Sequence, residues 1–219
     1  MNDVQKRGVV VAIDGPAGAG KSTLARSLAE RLGLPYINTG LMYRSVAAVA
    51  LRDGIDPADA RALSRLAQEL NFSIDSGGLR IEGGADPDEL TSAEVETIVS
   101  MVARHPEVRS VLRAEQRRLG ADGSVMEGRD IGSVVFPDAD VRVFLRADQD
   151  ERAARRQTER GTDDPALAEA LERRDALDAR TNPLIPAPDA HLVDTSGRDP
   201  EDVLQEVLEL VRAATASKG

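Results

Sequence analysis

The chain has 219 residues, which suffice for one sizeable hydrophobic core with an appendage but not for two ordinary enzyme domains. Its 38 Asp and Glu residues outnumber 28 Lys and Arg residues, and a net charge of −10 argues against general binding to nucleic acid or anionic membranes. No cysteine is present, so disulfides, thiolate catalysis and cysteine metal sites are excluded. Without a bilayer-length apolar run or a secretory signal, we expect a cytoplasmic protein.

The first part of the chain predicts alternating strands and helices. Residues 8–15, GVVVAIDG, form a continuous apolar run that ends in glycine, which is typical of a strand buried on both faces. A helix is predicted from Lys21 to Leu32, because leucines recur there at four-residue spacing and a glycine follows. Similar patterns predict a short strand at 35–38 and helices at 40–54 and 56–70, the last with Asp56 as its N-cap.

The next segment interrupts this alternation of strand and helix. Residues 71–83, NFSIDSGGLRIEG, alternate apolar and polar side chains around a Ser-Gly-Gly turn, which predicts an antiparallel hairpin. Helices are predicted at 91–105, where Thr91 and Glu94 have capping-box spacing, and at 106–120. Residues 71–120 are therefore predicted to form an inserted subdomain within a single domain whose core comprises 8–70 and 121–219.

The alternating pattern then resumes and continues to the end of the chain. Strands are predicted at 124–128, 141–147 and 191–196. Helices are predicted from about Gln149, over 165–178 after the polar stretch GTDDP, and after Asp199-Pro200. The pattern predicts an α/β fold of three layers, with a five-stranded parallel sheet and helices on both faces.

One motif between the first strand and the first helix carries a chemical prediction. GPAGAGKS, residues 15–22, fits G-x-x-x-x-G-K-[ST], in which backbone N–H groups and a helix N-terminus cradle phosphates. Lys21 is expected to reach the β- and γ-phosphates of ATP, and the Ser22 hydroxyl to bind Mg²⁺. The motif predicts a P-loop NTPase fold; the alternative is a simple glycine turn. The predicted ATP-binding residues are Gly15, Pro16, Ala17, Gly18, Ala19, Gly20, Lys21, Ser22 and Thr23.

The rest of the sequence narrows the class of P-loop protein. A switch GTPase requires a guanine-reading N-K-x-D, which is absent, and the DTSG at 194–197 comes too late to be its switch. A small-molecule kinase requires a second anion site facing the loop. Arg129 and Asp130, in EGRDIGSVVFPDA after the strand at 124–128, are candidates for that site, the alternative being a solvated loop with a chance ion pair. Asp14, at the end of the first strand, is expected to order either the loop or a metal-bound water.

The chain resembles bacterial cytidylate kinases (CMP kinases) over nearly its whole length. The stretches that carry the resemblance are IDGPAGAGKST, NTGLMYR, VARHPEVRSVLRAEQR, MEGRDIGSVVFPDADVRVFLRA and RRDALDAR…PLIPA. The resemblance implies transfer of the ATP γ-phosphoryl group to CMP or dCMP, with an enlarged monophosphate-binding insert and a short lid at about 157–166. The alternatives are another nucleoside monophosphate kinase, for UMP or AMP, or a nucleotide-binding module without turnover.

The resemblance also implies a set of residues that bind the acceptor nucleotide. They are Thr39, Tyr43, Arg44, Ser100, Arg109, Arg129, Asp130, Asp178 and Arg180. Asp130 is expected to accept a hydrogen bond from the cytosine amino group, which uracil lacks. Two departures from the family pattern are present: RDALDARTNPL is two residues short, so that Arg174 is an alternative to Arg180, and Thr91 occupies a family arginine position.

The acceptor phosphate is largely ionised near neutral pH, so the reaction needs charge neutralisation and positioning rather than a general base. The residues expected to take part in catalysis are Lys21, Arg129, Asp130, Arg156 and Arg160, the last two beside the lid. We expect a monomer that binds small-molecule substrates, and neither nucleic acid nor a membrane.

Overall fold

The computed structural model describes residues 8–75, 78–160 and 184–216, without the side chains of residues 87, 156, 159 and 160. The strands are β1 (Val10–Asp14), β2 (Tyr36–Asn38), β3 (Asn71–Asp75), β4 (Gly78–Glu82), β5 (Ser124–Gly128), β6 (Val141–Arg146) and β7 (His191–Asp194). The helices are α1 (Lys21–Leu32), α2 (Thr39–Arg52), α3 (Ala60–Glu69), α4 (Pro87–Leu90), α5 (Ala93–Val102), α6 (Pro106–Gly120), α7 (Gln149–Arg160) and α8 (Pro200–Ala216), with a π-helical turn at Ile131–Val135. None of these helices is both long enough and apolar enough to cross a membrane.

The main sheet has five parallel strands in the order β2-β5-β1-β6-β7, which confirms the predicted fold class. The strand β1 lies at the centre of this sheet, with β5 and β6 as its neighbours. Strands β3 and β4 form a separate antiparallel hairpin, also as predicted. The helix predicted over 165–178 lies outside the described residues.

The continuous apolar run of β1 is explained by helices or loops on both faces of the sheet. Successive side chains of a strand point to opposite faces. Val11 and Ile13 pack in one hydrophobic cluster with α1 and α8, whereas Val10 and Ala12 pack in another with the π-helical turn and Phe136. The fold therefore has three layers, and β1 is shielded from water on both sides.

A third hydrophobic cluster joins the predicted insert to α2 and α3. It contains Met42 and Val46 of α2, Leu63 of α3, Phe72 of the hairpin and Leu112 of α6, all of them buried. The hairpin and helices predicted between residues 71 and 120 are present. The division into core, insert and lid remains a prediction, and most of the lid lies outside the described residues.

Two predicted helix caps are wrong, one by three residues and the other by one. Helix α3 begins at Ala60, and its cap is Asp59, which accepts from the N–H groups of Arg61 and Ala62. The predicted cap, Asp56, instead accepts from the Ala58 N–H in the preceding turn. Similarly, Ser92 rather than Thr91 caps α5, because Thr91 belongs to the turn that ends α4 and donates to the Asp88 carbonyl.

Candidate active site

The carboxyl ends of β2, β5 and β1 lie side by side and bring the start of α2 and the segments that follow β5 and β1 to one edge of the sheet. In the strand register, Asn38 pairs with Glu127, and Asp14 pairs with Gly128. In an open parallel sheet this edge is where ligands bind. The P-loop follows β1, and Arg129 and Asp130 follow β5, so the two motifs predicted from sequence face the same crevice.

The loop at 15–22 has the backbone conformation that the motif requires. Gly15, Gly18 and Gly20 have φ values of 148°, 74° and 87°, a region that side-chain-bearing residues rarely adopt. A Cβ on Gly15 would lie 2.6 Å from the Leu145 carbonyl oxygen. The loop leads directly into α1, so the partial positive charge of that helix's N-terminus is available to an anion held by the loop. The loop therefore has the glycine-dependent backbone and the helix N-terminus that the motif predicts, and phosphate binding by it remains a prediction.

Lys21 lies over the loop that it follows. Its Nζ donates to the Pro16 carbonyl oxygen at 2.7 Å, which holds the ammonium group against the loop backbone. Arg129, from the far side of the crevice, donates through Nη1 to the Gly15 carbonyl oxygen at 3.3 Å. Two predicted catalytic cations thus lie at the same loop, although they come from segments more than a hundred residues apart in the chain.

The outer side of the loop is held by α7 and by the segment after β7. Arg152 donates to the Ala17 carbonyl at 3.0 Å, and the Thr195 hydroxyl donates to the Ala19 carbonyl at 3.2 Å. Arg155 in turn donates to the Thr195 hydroxyl at 2.9 Å. These contacts fix the backbone of the loop from outside.

Arg152 and Arg155 are not among the predicted site residues. They lie three positions apart on α7, and that spacing puts both on the helix face that packs against the loop. Arg156 and Arg160, which were predicted instead, are also in α7, but their side chains lie outside the described part of the structure. Their catalytic role remains a prediction.

Glu127, at the end of β5, is a buried carboxylate that the predicted site does not include. It is 3% exposed. Its Oε2 accepts from the Ser22 hydroxyl at 3.0 Å, and its Oε1 accepts from the Tyr36 hydroxyl. Burial, followed by the nearby Glu127 charge, raises the pKa of Tyr36 above its usual range, so Tyr36 is the proton donor in this contact. In the sequence, the feature that could have identified Glu127 is an acidic residue at the end of a predicted apolar strand.

Asp14, at the end of β1, orders the turn that follows Asp130. Its two carboxylate oxygens accept from the N–H groups of Ile131 and Gly132, each at 2.8 Å. Burial raises the pKa of Asp14 to about 6, although the two N–H groups oppose this shift. The sequence left open whether Asp14 orders the P-loop or a metal-bound water; its hydrogen bonds instead hold the turn after Asp130, and the two roles remain predictions.

Asp130 lies in a cluster of charged and polar side chains next to α6. As a whole residue, Asp130 is 8% exposed. Its Oδ2 accepts from Arg109 Nη2 at 2.9 Å and from Arg113 Nη2. Oδ1 accepts no hydrogen bond from any residue in the described ranges. Tyr43 lies in the same cluster, and burial, together with the Asp130 charge, raises the pKa of its hydroxyl to about 12. The structure therefore brings together three predicted residues, and it adds Arg113.

The remaining predicted acceptor-site residues lie on or near α2 and α5. Thr39 is buried, and its hydroxyl donates to the Glu127 carbonyl at 2.8 Å. Arg44 donates to the Leu90 carbonyl at 2.8 Å and contacts Glu96 at 3.5 Å, both in the predicted insert. Ser100 is buried in α5. Asp178 and Arg180, with the alternative Arg174, lie outside the described residues.

A phosphate-cradling loop that faces a second cluster of arginine and aspartate side chains is the arrangement of a P-loop phosphotransferase, which must bring two anionic substrates together. The family model described as cytidylate kinase matches residues 11–213, and the chain belongs to this family. A cytidylate kinase from Solibacter usitatus is 43% identical, covering 97% of this chain and 96% of its own. A cytidylate kinase from Pelotomaculum thermopropionicum is 45% identical, and the match covers 93% of this chain and 96% of that protein.

A comparison with solved structures supports the fold independently of the family. A gluconokinase from Sinorhizobium meliloti superposes with a TM-score of 0.51 at 16% identity, over 98% of each chain. This likeness shows that the sheet and its surrounding helices are arranged as in that protein.

Proposed function

We propose that this chain transfers the γ-phosphoryl group of ATP to CMP, and to dCMP, giving CDP or dCDP and ADP. The observation that carries the proposal is the state of Asp130, whose Oδ2 is held by two arginines while Oδ1 accepts nothing from the described residues. An oxygen of this kind can accept a hydrogen bond from an amino group on the acceptor base. The family to which the chain belongs supports the same substrate.

Base selection follows from the chemistry of this carboxylate. Cytosine presents an amino donor to Oδ1 of Asp130, whereas uracil presents a carbonyl oxygen at the corresponding position. Two acceptors facing each other in a largely buried site repel and leave both groups unsatisfied. Arg109, Ser100 and Tyr43 are proposed to complete the base-binding subsite, and Asp178 and Arg180 to bind the ribose and phosphate.

The donor nucleotide is proposed to bind with its phosphates on the N–H groups of residues 15–23, with the Lys21 ammonium beside them. Ser22 and Glu127 offer a hydroxyl and a carboxylate oxygen, the hard ligands that suit Mg²⁺, with Ser22 as the direct ligand. When bound, Mg²⁺ neutralises charge on the β- and γ-phosphates. The Ser22–Glu127 contact then serves to orient the Ser22 hydroxyl.

The transfer itself requires alignment of two anions. An oxygen of the acceptor phosphate forms the new bond to the γ-phosphorus, and the bond from that phosphorus to the β-bridging oxygen breaks, so that ADP leaves. Arg129 is proposed to contact the acceptor phosphate, with Thr39 and Arg44 nearby, and Arg156 and Arg160 to approach the transferred group. No general base is needed, because the second pKa of a phosphate monoester is about 6.

The test measures the release of ADP from ATP and Mg²⁺ in separate reactions with CMP, dCMP, UMP, AMP or GMP as the acceptor, and in one reaction without an acceptor. The proposal expects turnover with the two cytidine nucleotides and far less with the others. Preferential turnover of UMP or AMP would show a different monophosphate kinase. ATP binding without turnover on any acceptor would support a nucleotide-binding module instead.

A further inference from the structure

Asp130 is bound by a second arginine that the proposed reaction does not yet use. Arg109 and Arg113 lie four positions apart on α6, so their side chains leave the same face of the helix. Both donate through Nη2 to the same oxygen, Oδ2 of Asp130. The side chains of Arg109 and Asp130 are each 12% exposed, and that of Arg113 is 23% exposed. The contacts among them are therefore only weakly screened by water.

Arg113 is not well satisfied by its surroundings. Its Nε is buried and has no hydrogen-bond partner among the residues that the structure describes. A buried N–H without an acceptor opposes folding, and such groups in native proteins commonly have a functional reason. The position of Arg113 is therefore explained poorly by stability and well by its contact with Asp130.

Arg104 and Arg117, the other arginines next to Arg109 and Arg113, have no such contact with Asp130 among the described residues. Arg104, Arg113 and Arg117 line a concavity of about 320 Å³ on the surface of α6, together with Pro106, Arg109 and Ser110. Arg117 donates to the carbonyl oxygens of Val134 and Val135, and Arg104 is exposed. Positive charge is thus common to the concavity, but only Arg109 and Arg113 among these residues reach the Asp130 carboxylate.

We infer that Arg113 is a positioning residue that sets the base specificity of the acceptor site by fixing the orientation of the Asp130 carboxylate. With two guanidinium groups on Oδ2, rotation of the carboxylate would break two charge-assisted hydrogen bonds, so Oδ1 stays directed toward the acceptor base. With only one guanidinium group on Oδ2, the Asp130 carboxylate rotates more easily. Oδ1 then accepts less well from the cytosine amino group and repels the uracil carbonyl less. This inference rests on the proposed phosphorylation of CMP.

The experiment compares kcat/KM for CMP and for UMP in the variants Arg113→Met and Arg113→Lys. A hydrogen bond to a charged group contributes enough to change a rate constant by about tenfold, so we expect the CMP-to-UMP ratio of Arg113→Met to fall about tenfold. Arg113→Lys keeps the charge but not the planar fork, and we expect a smaller fall. Arg104→Met removes a charge from the same concavity without touching Asp130, and should leave the ratio unchanged.

Two further measurements separate positioning from a structural role. The thermal midpoint of Arg113→Met should fall only slightly, because Asp130 keeps its contact with Arg109, and methionine keeps much of the apolar stem and removes the unsatisfied Nε–H, which offsets part of the lost contact. In an Asp130→Asn background, Arg113→Met should leave the ratio unchanged, since the residue acts through the carboxylate.

The inference fails if Arg113→Met lowers turnover of both nucleotides equally, if the ratio stays the same, or if the effect persists in the Asp130→Asn background. A failure of the proposed function looks different, because the unmodified protein itself would then show no preference for CMP over UMP.

Discussion

Replacing Glu127 by Gln isolates the role of the carboxylate that holds the Ser22 hydroxyl. The substitution keeps the shape of the side chain, and at 3% exposure the side chain has little room to move. It removes the charge to which Ser22 and Tyr36 donate. Because hydrogen bonds to charged groups contribute roughly 1.5–3 kcal/mol, the loss of one that supports metal binding in the reacting complex lowers kcat about tenfold to a hundredfold.

The assay is a Mg²⁺ titration of the rate at saturating ATP and CMP. Glu127→Gln is expected to need more Mg²⁺ for half-maximal rate, with a lower kcat and an unchanged KM for CMP. Its thermal midpoint should change little, because the lower cost of burying a neutral amide offsets the weaker hydrogen bonds from Ser22 and Tyr36. Glu115→Gln, which removes a carboxylate paired with Arg118 on α6, is the matched control. An unaltered Mg²⁺ requirement in Glu127→Gln would refute the reasoning and leave Glu127 a structural residue.

Three further predictions concern the same edge of the sheet. Tyr36→Phe removes one of the two hydroxyl donors to Glu127, so its Mg²⁺ titration should shift in the same direction as that of Glu127→Gln, but less. Gly128→Ala places a Cβ 2.7 Å from the Thr39 hydroxyl oxygen, and differential scanning calorimetry should show a lower thermal midpoint along with lower kcat. A ¹³C NMR titration of the Asp14 carboxyl should have its midpoint near pH 6 rather than near 3.8. Because the folded state then binds the proton more tightly than the unfolded state, the stability contributed by Asp14 falls by about 3 kcal/mol as pH rises from below 4 to above 6.

The sheet was predictable because a central parallel strand leaves a signature in a short stretch of sequence. The apolar run of β1 and the glycines of the loop that follows both express requirements of the local backbone and of burial on two faces. The start of α3 was not predictable to the residue, since Asp56 and Asp59 are both good N-caps. Which of them is used depends on where the helix packs, and Leu63 and Leu66 are buried against neighbours that are distant in sequence.

Short local patterns predict only those site residues that are close in sequence, whereas Tyr43 and Arg109, which lie near Asp130, were predicted from the family resemblance. The P-loop and the Arg129-Asp130 pair are local motifs. The contact of Ser22 with Glu127 joins residues 105 positions apart, and it depends on the alignment of β5 beside β1. The contact of Arg113 with Asp130 spans 17 positions and requires the direction of α6 relative to β5. No short sequence pattern predicts either of these two contacts.

The three carboxylates at this edge of the sheet show how a chain of net charge −10 can present an anion-binding site. Asp14 accepts from two backbone N–H groups, so it is committed to the turn after Asp130. Glu127 accepts from two hydroxyls, which can reorient when a cation or water arrives. Asp130 accepts from two guanidinium groups on one oxygen, and its other oxygen accepts from no residue that the structure describes. We therefore infer that the donor type on each carboxylate, rather than the number of acidic residues, separates the structural role of Asp14 from the roles proposed for Glu127 with Mg²⁺ and for Asp130 with the base.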